Sequence, residues 1–262
     1  MTLRAGTLVL LSLTLGAYAY SGTALSATTI PIHLGTADKF AVLAGSGITN
    51  VSAQTYIIGD VGSSPTPSVT GLTRSQVKGH LYLKANSVTA KAQTDLTVGY
   101  DDAVAAPCGH DLTGKDLGGM RLGPGVYCFS SSAQLTGTLT LDAHGDPNAQ
   151  WIFQTGSTLT TASNSTVKII LGKKGQQAPP PWGKGVRGCN VYWQITSSAT
   201  LGTGSTFVGI IMALQSITTN GGVLRGKALA RNGAVTMAGP AETVDGPACH
   251  THASNAAAFG QQ

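Results

Sequence analysis

Thr155-Gly-Ser-Thr-Leu-Thr-Thr-Ala162 is the stretch on which the fold turns. Its centre alternates, with Thr158 and Thr160 flanking Leu159. Successive strand side chains leave opposite faces, so the two hydroxyls share one face and the leucine enters a core. One such stretch is common, because threonine is a good strand residue. Here similar alternation returns in Leu135-Thr-Gly-Thr-Leu-Thr-Leu141, Val167-Lys-Ile-Ile-Leu171, Val191-Tyr-Trp-Gln-Ile195 and Phe207-Val-Gly-Ile-Ile211, punctuated by Gly, Asn and Ser. Many short strands with a periodic core predict a β-dominated fold, a parallel β-solenoid in which each coil buries its inside against its neighbours. A β-sandwich also has short strands and turns. The solenoid is preferred because one face keeps its composition from coil to coil.

Aligning the inward residue of each repeat gives Leu135, Leu159, Leu201, Ile217 and Val235, at intervals of 24, 42, 16 and 18 residues. The long interval contains a Pro/Gly-rich loop, 173–188, that loops out of an otherwise ordinary coil. The outward pairs are then Gly47/Thr49, Gln134/Thr136, Thr158/Thr160, Thr200/Gly202, Ser216/Thr218 and Ala234/Thr236. Each contains a threonine and none contains a charge. With rungs about 4.8 Å apart and same-face residues about 6.7 Å apart, such pairs form a flat grid of methyls and hydroxyls. A strand-held threonine has a restricted χ1 and little entropy to lose, so the grid suits ordered, ice-like water. Thr, Ser and Gly also fill the outer face of any solenoid, and the pattern alone does not separate the two readings.

Composition agrees with a β-rich, uncharged surface. Charged residues are 10% of 262, far below the usual quarter, while hydrophobic residues are 42%. The formal charge of +5 comes from scattered cations, with no interleaved stacking aromatics except Trp182 near the Lys173, Lys174, Lys184 and Arg187 group. Nucleic acid is therefore not expected as a partner. Arg4, the apolar 8–15 run and the small residues at 23–27 read as a secretory leader over 1–27. No other stretch has the length of a membrane span. The expectation is an exported, extracellular, monomeric protein with one domain over 28–248 and a disordered tail over 249–262. Four cysteines fit an oxidising compartment. Cys108 and Cys128 flank a short segment, which leaves Cys189 and Cys249 for each other. That is one of three connectivities, and buried free thiols are the other reading.

One helix is predicted, over 87–106. Val88, Ala92, Leu96, Tyr100, Ala103 and Val104 form its apolar face, Asn86 or Ser87 caps its start, and Pro107 stops it. Residues 63–84 read as a loop or cap insertion. No catalytic or metal site is expected. Asp60, Asp101, Asp102, Asp142 and Asp146 sit in turn or helix contexts, and His33, His80, His110 and His144 are isolated from one another. Cys249-His-Thr-His252 lies in the tail and reads as tail. Asn50-Val-Ser52 and Asn164-Ser-Thr166 are glycosylation sequons, and a glycan on Asn164 would stand near Thr160. A solenoid of this kind would also serve as a secreted adhesin for polysaccharide or cell surfaces.

Several ordered motifs carry a resemblance. Phe40-Ala-Val-Leu-Ala-Gly-Ser-Gly-Ile-Thr-Asn50, Gly59-Asp-Val-Gly62, Leu122-Gly-Pro-Gly-Val-Tyr127, Trp151-Ile-Phe-Gln154, Gly156-Ser-Thr-Leu-Thr-Thr-Ala162 and Arg225-Gly-Lys-Ala-Leu-Ala-Arg-Asn-Gly-Ala-Val-Thr236 resemble the DUF3494 ice-binding protein family. The match runs from about 34 to 243. It implies a right-handed, discontinuous β-solenoid of triangular section with a long helix along one side. It also implies that the N-terminal strands stack on the C-terminal coil, which would bring Thr49 near Thr236. The implied activity is adsorption to ice, giving thermal hysteresis and inhibited recrystallisation, with no cofactor. The resemblance points to Thr49, Gln134, Thr136, Thr158, Thr160, Thr200, Ser216, Thr218, Ala234 and Thr236 as the contact residues. Gln134, Gly202 and Ala234 interrupt an ideal hydroxyl ladder.

Overall fold

The computed structural model describes residues 29–171 and 188–246; the expected leader over 1–27, most of the 173–188 segment and the C-terminal residues with Cys249 and His252 lie outside them. Each full coil lays down three strands, one on each of three sides. The first full coil after the helix is Gly125–Phe129, Ala133–Leu135 and Thr138–Asp142, and the next is Trp151–Thr155, Leu159–Thr161 and Thr166–Ile170. All strand pairing between coils is parallel, residue on residue, as in Tyr127 to Phe153 to Trp193. In the later coils two sides run together in single nine-residue strands, Ser205–Ala213 and Gly222–Ala230. Their first and last halves pair on different sides. Gly209 and Gly226, at φ 122° and 156°, lie where the pairing changes sides.

The chain does not fill the coils in order. Phe40–Ala44, Gly47–Asn50 and Tyr56–Ile58 form a coil near one end. Residues 63–84 are not a plain loop. Val69–Thr70 and Val77–Lys78 complete a further rung that Asp60–Ser63 begins beyond that coil, and Leu81–Tyr82 starts another on Asp60–Ser63. The two-residue strands are too short to give a visible period. The helix Ser87–Ala105 then carries the chain to the other end. A partial rung of His110–Asp111, Asp116 and Arg121–Leu122 caps that end. Coils then build back until the last one pairs with the first: Leu229 with Leu43, Val235 with Ile48, and Val244 with Ile57.

The interior is apolar and stacked. Phe153 and Trp193 lie face to face with centroids 4.0 Å apart, with Tyr127 at 5.4 Å from Phe153 and Phe207 at 4.8 Å from Trp193. Both Trp193 and Phe153 are fully buried. The helix packs on the outside of one side, where Ala92, Leu96, Tyr100 and Ala103 meet Ile152, Ile210 and Leu229. Asn86 caps it by accepting from the Val88 and Thr89 amides. Two residues of the expected apolar face are exposed instead, Val88 at 40% and Val104 at 52%. The inward face includes Asp95, which accepts from Thr36 N and Oγ1 at 2.8 and 2.6 Å and pairs with Lys91. Burial opposes its charge, but those hydrogen bonds outweigh it and hold the carboxyl below the usual range. The helix thus packs by small residues and one satisfied carboxylate, because the N-terminal turn Gly35–Lys39 lies against it.

Two ties fix the ends of the path. Cys108–Cys128 is a disulfide that fastens the exit of the helix to the first full coil, and no thiol is free among the described residues. Lys227, 1% exposed, reaches across the join of first and last coils to the carboxylate of Asp38 at 3.5 Å and to the Asp38 carbonyl. Removing one partner of a buried pair leaves an uncompensated charge, typically at a cost of about 3–5 kcal/mol. Asp38→Ala is expected to lose that much in urea denaturation at neutral pH. Phe153→Ala is expected to lose about 3–5 kcal/mol through the cavity left in the aromatic stack. A loss below about 1 kcal/mol in either variant would contradict this account of what holds the coils together.

Candidate functional site

The second side is a seven-stranded parallel sheet. Its strands are Ala133–Leu135, Leu159–Thr161, Ala199–Leu201, Ile217–Thr219, Ala234–Met237, Gly47–Asn50 and Val69–Thr70, in that spatial order. Register fixes its rows. The inward row is Ala133, Leu159, Ala199, Ile217, Val235, Ile48 and Val69. The outward row one residue on is Gln134, Thr160, Thr200, Thr218, Thr236, Thr49 and Thr70. Six consecutive rungs therefore present a threonine at one position. Thr49 stands beside Thr236 because the first coil docks on the last.

This register corrects the sequence alignment at two rungs. Leu135 pairs with Thr161 and not with Leu159, and Leu201 likewise sits in the second inward row, against Thr219. Each strand has two inward positions, and the true equivalents of Leu159 are the small residues Ala133 and Ala199. The intervals become 26, 40, 18 and 18 residues. Thr136 and Gly202 therefore leave the grid and fall at a corner. The Thr136 amide and hydroxyl are both held by Asp116, with N to Oδ1 at 2.9 Å. Thr158, Ser216 and Ala234 fall in a flanking row with Ser132 and Ser198, two serines that the shifted alignment hides. Thr70 was hidden too, inside the short strands of 63–84. Six threonines and Gln134 replace a ladder broken at Gln134, Gly202 and Ala234.

The two outward rows do different jobs. In the flanking row the hydroxyls are tied within the protein. Thr158 Oγ1 donates to Ser132 Oγ at 2.9 Å, Ser198 Oγ accepts from Ser216 N, and Ser216 Oγ accepts from Ala234 N, both at 3.2 Å. These bonds brace successive rungs. In the threonine row the hydroxyls of Thr160, Thr200, Thr218 and Thr236 have no protein hydrogen-bond partner among the described residues. Their hydrogen-bonding capacity is left to water, while their β-branched side chains stay in few rotamers. No strand of this sheet carries a charged residue.

The other two sides differ. The first is covered by the helix. The third also has an outward threonine row, Thr138, Thr166, Thr206 and Thr243 with Val223 in line, but the neighbouring row holds Arg121, Lys168, Arg225 and Asp245. Arg121 is paired with Asp142. An open groove of about 380 Å³ lies between the helix end and the first side, lined by Asp111, Gln154, Gln194 and Thr196 among others. Gln154 Nε2 there donates to the Ala103 and Ala106 carbonyls at 2.7 and 2.8 Å, so it caps the helix C-terminus. The described histidines are dispersed: His33 pairs with Asp102, His80 with Asp60 and His144 with Asp142, and His110 stacks on Tyr127. Among the described residues no three His, Cys, Asp or Glu side chains gather as a metal site. Of the two sequons, Asn50 is closed to modification: it is buried, with Nδ2 donating to the Ser52 and Gly71 carbonyls at 2.7 and 2.8 Å. Asn164 is exposed on a turn at φ 58°.

Comparison with known proteins agrees with this fold. A family model described as ice-binding-like matches residues 42–243. An ice-binding protein of Nostoc sp. (strain HG1) is 50% identical over 206 residues, covering 78% of this chain and 71% of its own. The crystal structure of an ice binding protein from an Antarctic biological consortium superposes with a TM-score of 0.72 at 38% identity, over 83% of this chain and 92% of that one. That of the Antarctic ascomycete Antarctomyces psychrotrophicus gives 0.70 at 31% identity, over 82% and 98%. The chain belongs to the ice-binding-like family.

Proposed function

We propose that this protein is exported and adsorbs to ice through the seven-stranded face, lowering the freezing point and restraining recrystallisation. The observation that carries the reading is the unbroken row Thr160, Thr200, Thr218, Thr236, Thr49 and Thr70, uncharged along its whole length. A rigid row at about 4.8 Å spacing holds waters at fixed intervals, and those waters lose less freedom on joining a crystal than waters around a mobile side chain. A lysine or glutamate in the row would bind its own hydration shell and mask the repeat. The flanking serines keep the rungs in register while leaving the hydroxyls of Thr160, Thr200, Thr218 and Thr236 to solvent; at the N-terminal end the Thr70 hydroxyl lies 3.3 Å from the Ile48 carbonyl and 3.4 Å from Thr49 Oγ1. Gln134 ends the row, and Thr136, held by Asp116, stands aside from it.

The function is adsorptive and requires no cofactor. The leader at 1–27 and the disulfide Cys108–Cys128 support export to an oxidising compartment, where a monomer meets the crystal directly. An adhesin for polysaccharide would want aromatic platforms beside polar groups. This face has none, and the exposed Tyr56 belongs to the third side.

Thr218→Tyr, at the middle of the row, is expected to cut thermal hysteresis several-fold while changing stability by less than about 1 kcal/mol. Thr136→Tyr, at the corner, is expected to keep most of the activity. Nanolitre osmometry and a recrystallisation assay on the mature protein check both. Full activity in Thr218→Tyr would move the site to another side, and rounded, unshaped ice with the wild type would remove the function.

A further inference from the structure

Glu242 is the chain's only glutamate, and it is buried at 3% exposure in the strand that closes the solenoid. That strand, Glu242–Asp245, pairs with Gly222–Ala230 of the preceding coil on one side and with Tyr56–Ile58 of the N-terminal coil on the other. Glu242 stands opposite Gly222, whose φ of 117° suits a glycine. Its polar neighbours are Thr219 and the Gly221 amide, which favour the charged form, although the Thr219 hydroxyl also donates to the Thr236 carbonyl at 3.4 Å. Oε2 has no hydrogen-bond partner among the described residues.

The polar groups next along this seam are already committed. Thr55 Oγ1 donates to Asn50 Oδ1 at 2.6 Å, and Asn50 Nδ2 donates to the Ser52 and Gly71 carbonyls. Ser52 Oγ donates to the Pro240 carbonyl. Among the described residues no charged side chain is paired with the carboxyl. The strands Ile217–Thr219, Ala234–Met237 and Gly47–Asn50 contain no titratable residue. On Gly222–Ala230, Arg225 lies in the outward row and Lys227 is against Asp38. Asp245 is in the same outward row as Arg225, and Tyr56 is exposed.

We propose that Glu242 is a pH-sensitive lock on the seam between the first and last coils, closed while the carboxyl carries its proton and loosened when it ionises. Burial, only partly offset by Thr219 and the Gly221 amide, raises its pKa to about 7. An unfolded glutamate titrates near about 4.3. Between those values the folded chain holds a proton that the unfolded chain has released. Stability therefore falls as pH rises through this window and levels off above it. The seam is also where Thr49 joins Thr236, so its loosening would divide the threonine row.

The test needs no ice, so its outcome is independent of the adsorption reading. Amide exchange, corrected for intrinsic rate, is measured at about pH 6 and pH 8 on the wild type and on Glu242→Gln. In the wild type the Gly47–Asn50 and Ala234–Met237 amides are expected to open about tenfold more often at the higher pH, while mid-solenoid amides of Leu159–Thr161 do not. In Glu242→Gln, which has no proton to lose, the seam amides are expected to show no such change, and the melting temperature no fall over the same range. An equal pH response in Glu242→Gln, or a wild-type seam no more pH-sensitive than the middle coils, would overturn the proposal. If Glu242→Gln does not fold, the wild-type contrast between seam and middle decides alone.

Discussion

Parallel backbone pairing between coils fixes where every side chain of this protein stands. Because each rung hydrogen-bonds to the next, residues at equivalent positions are forced into rows at the strand spacing. Inside, the rows stack Tyr127, Phe153 and Trp193. Outside, the same register lines up threonines whose separations in sequence are irregular. The row would be shorter by two threonines if the chain simply ran from one end to the other. Instead the helix returns the chain so that the last coil closes on the first. Thr49 and Thr70, from the N-terminal strands, then extend a row begun by Thr160, Thr200, Thr218 and Thr236.

The three sides share one backbone and diverge in chemistry. The first side is largely apolar outward, through Val126, Ile152, Ile210, Met212 and Leu229, and the helix covers it. The third mixes threonines with Arg121, Lys168, Arg225 and Asp245, whose hydration breaks any regular water layer. The second is bare, small and neutral. Its flanking serines spend their hydroxyls on neighbouring rungs, and its central threonines do not. This division of labour is what a sheet requires if it is to be stiff and still offer hydrogen bonds to water.

Much of this was readable in the sequence. Alternation of Thr and Leu indicated strands, recurrence indicated coils, and Asn86 with Pro107 bounded the helix closely. Register was not readable, because a three-residue strand has two inward ends and Leu is more conspicuous than Ala. Ala133 and Ala199 were thus passed over for Leu135 and Leu201, and Thr136 and Gly202 were drawn into a face they border. Thr49, Gln134, Thr160, Thr200, Thr218 and Thr236 share one outward row, whereas Thr158, Ser216 and Ala234 share the row beside it. Thr70 lies in a strand of two residues, below the length at which period shows. Nothing in the sequence marks Asp95 as inward-facing, because its partner Thr36 meets it only after folding.

The central claim is that water of the crystal meets the second side at its threonine row. Solid-state NMR of the labelled protein frozen in dilute solution reads this directly, as magnetisation transfer from ice protons to assigned threonine methyls. Transfer is expected first and most strongly at Thr160, Thr200, Thr218 and Thr236, and weakly at Thr138, Thr166, Thr206 and Thr243 on the charged third side. Equal transfer to both rows, or stronger transfer to the third side, would contradict the account.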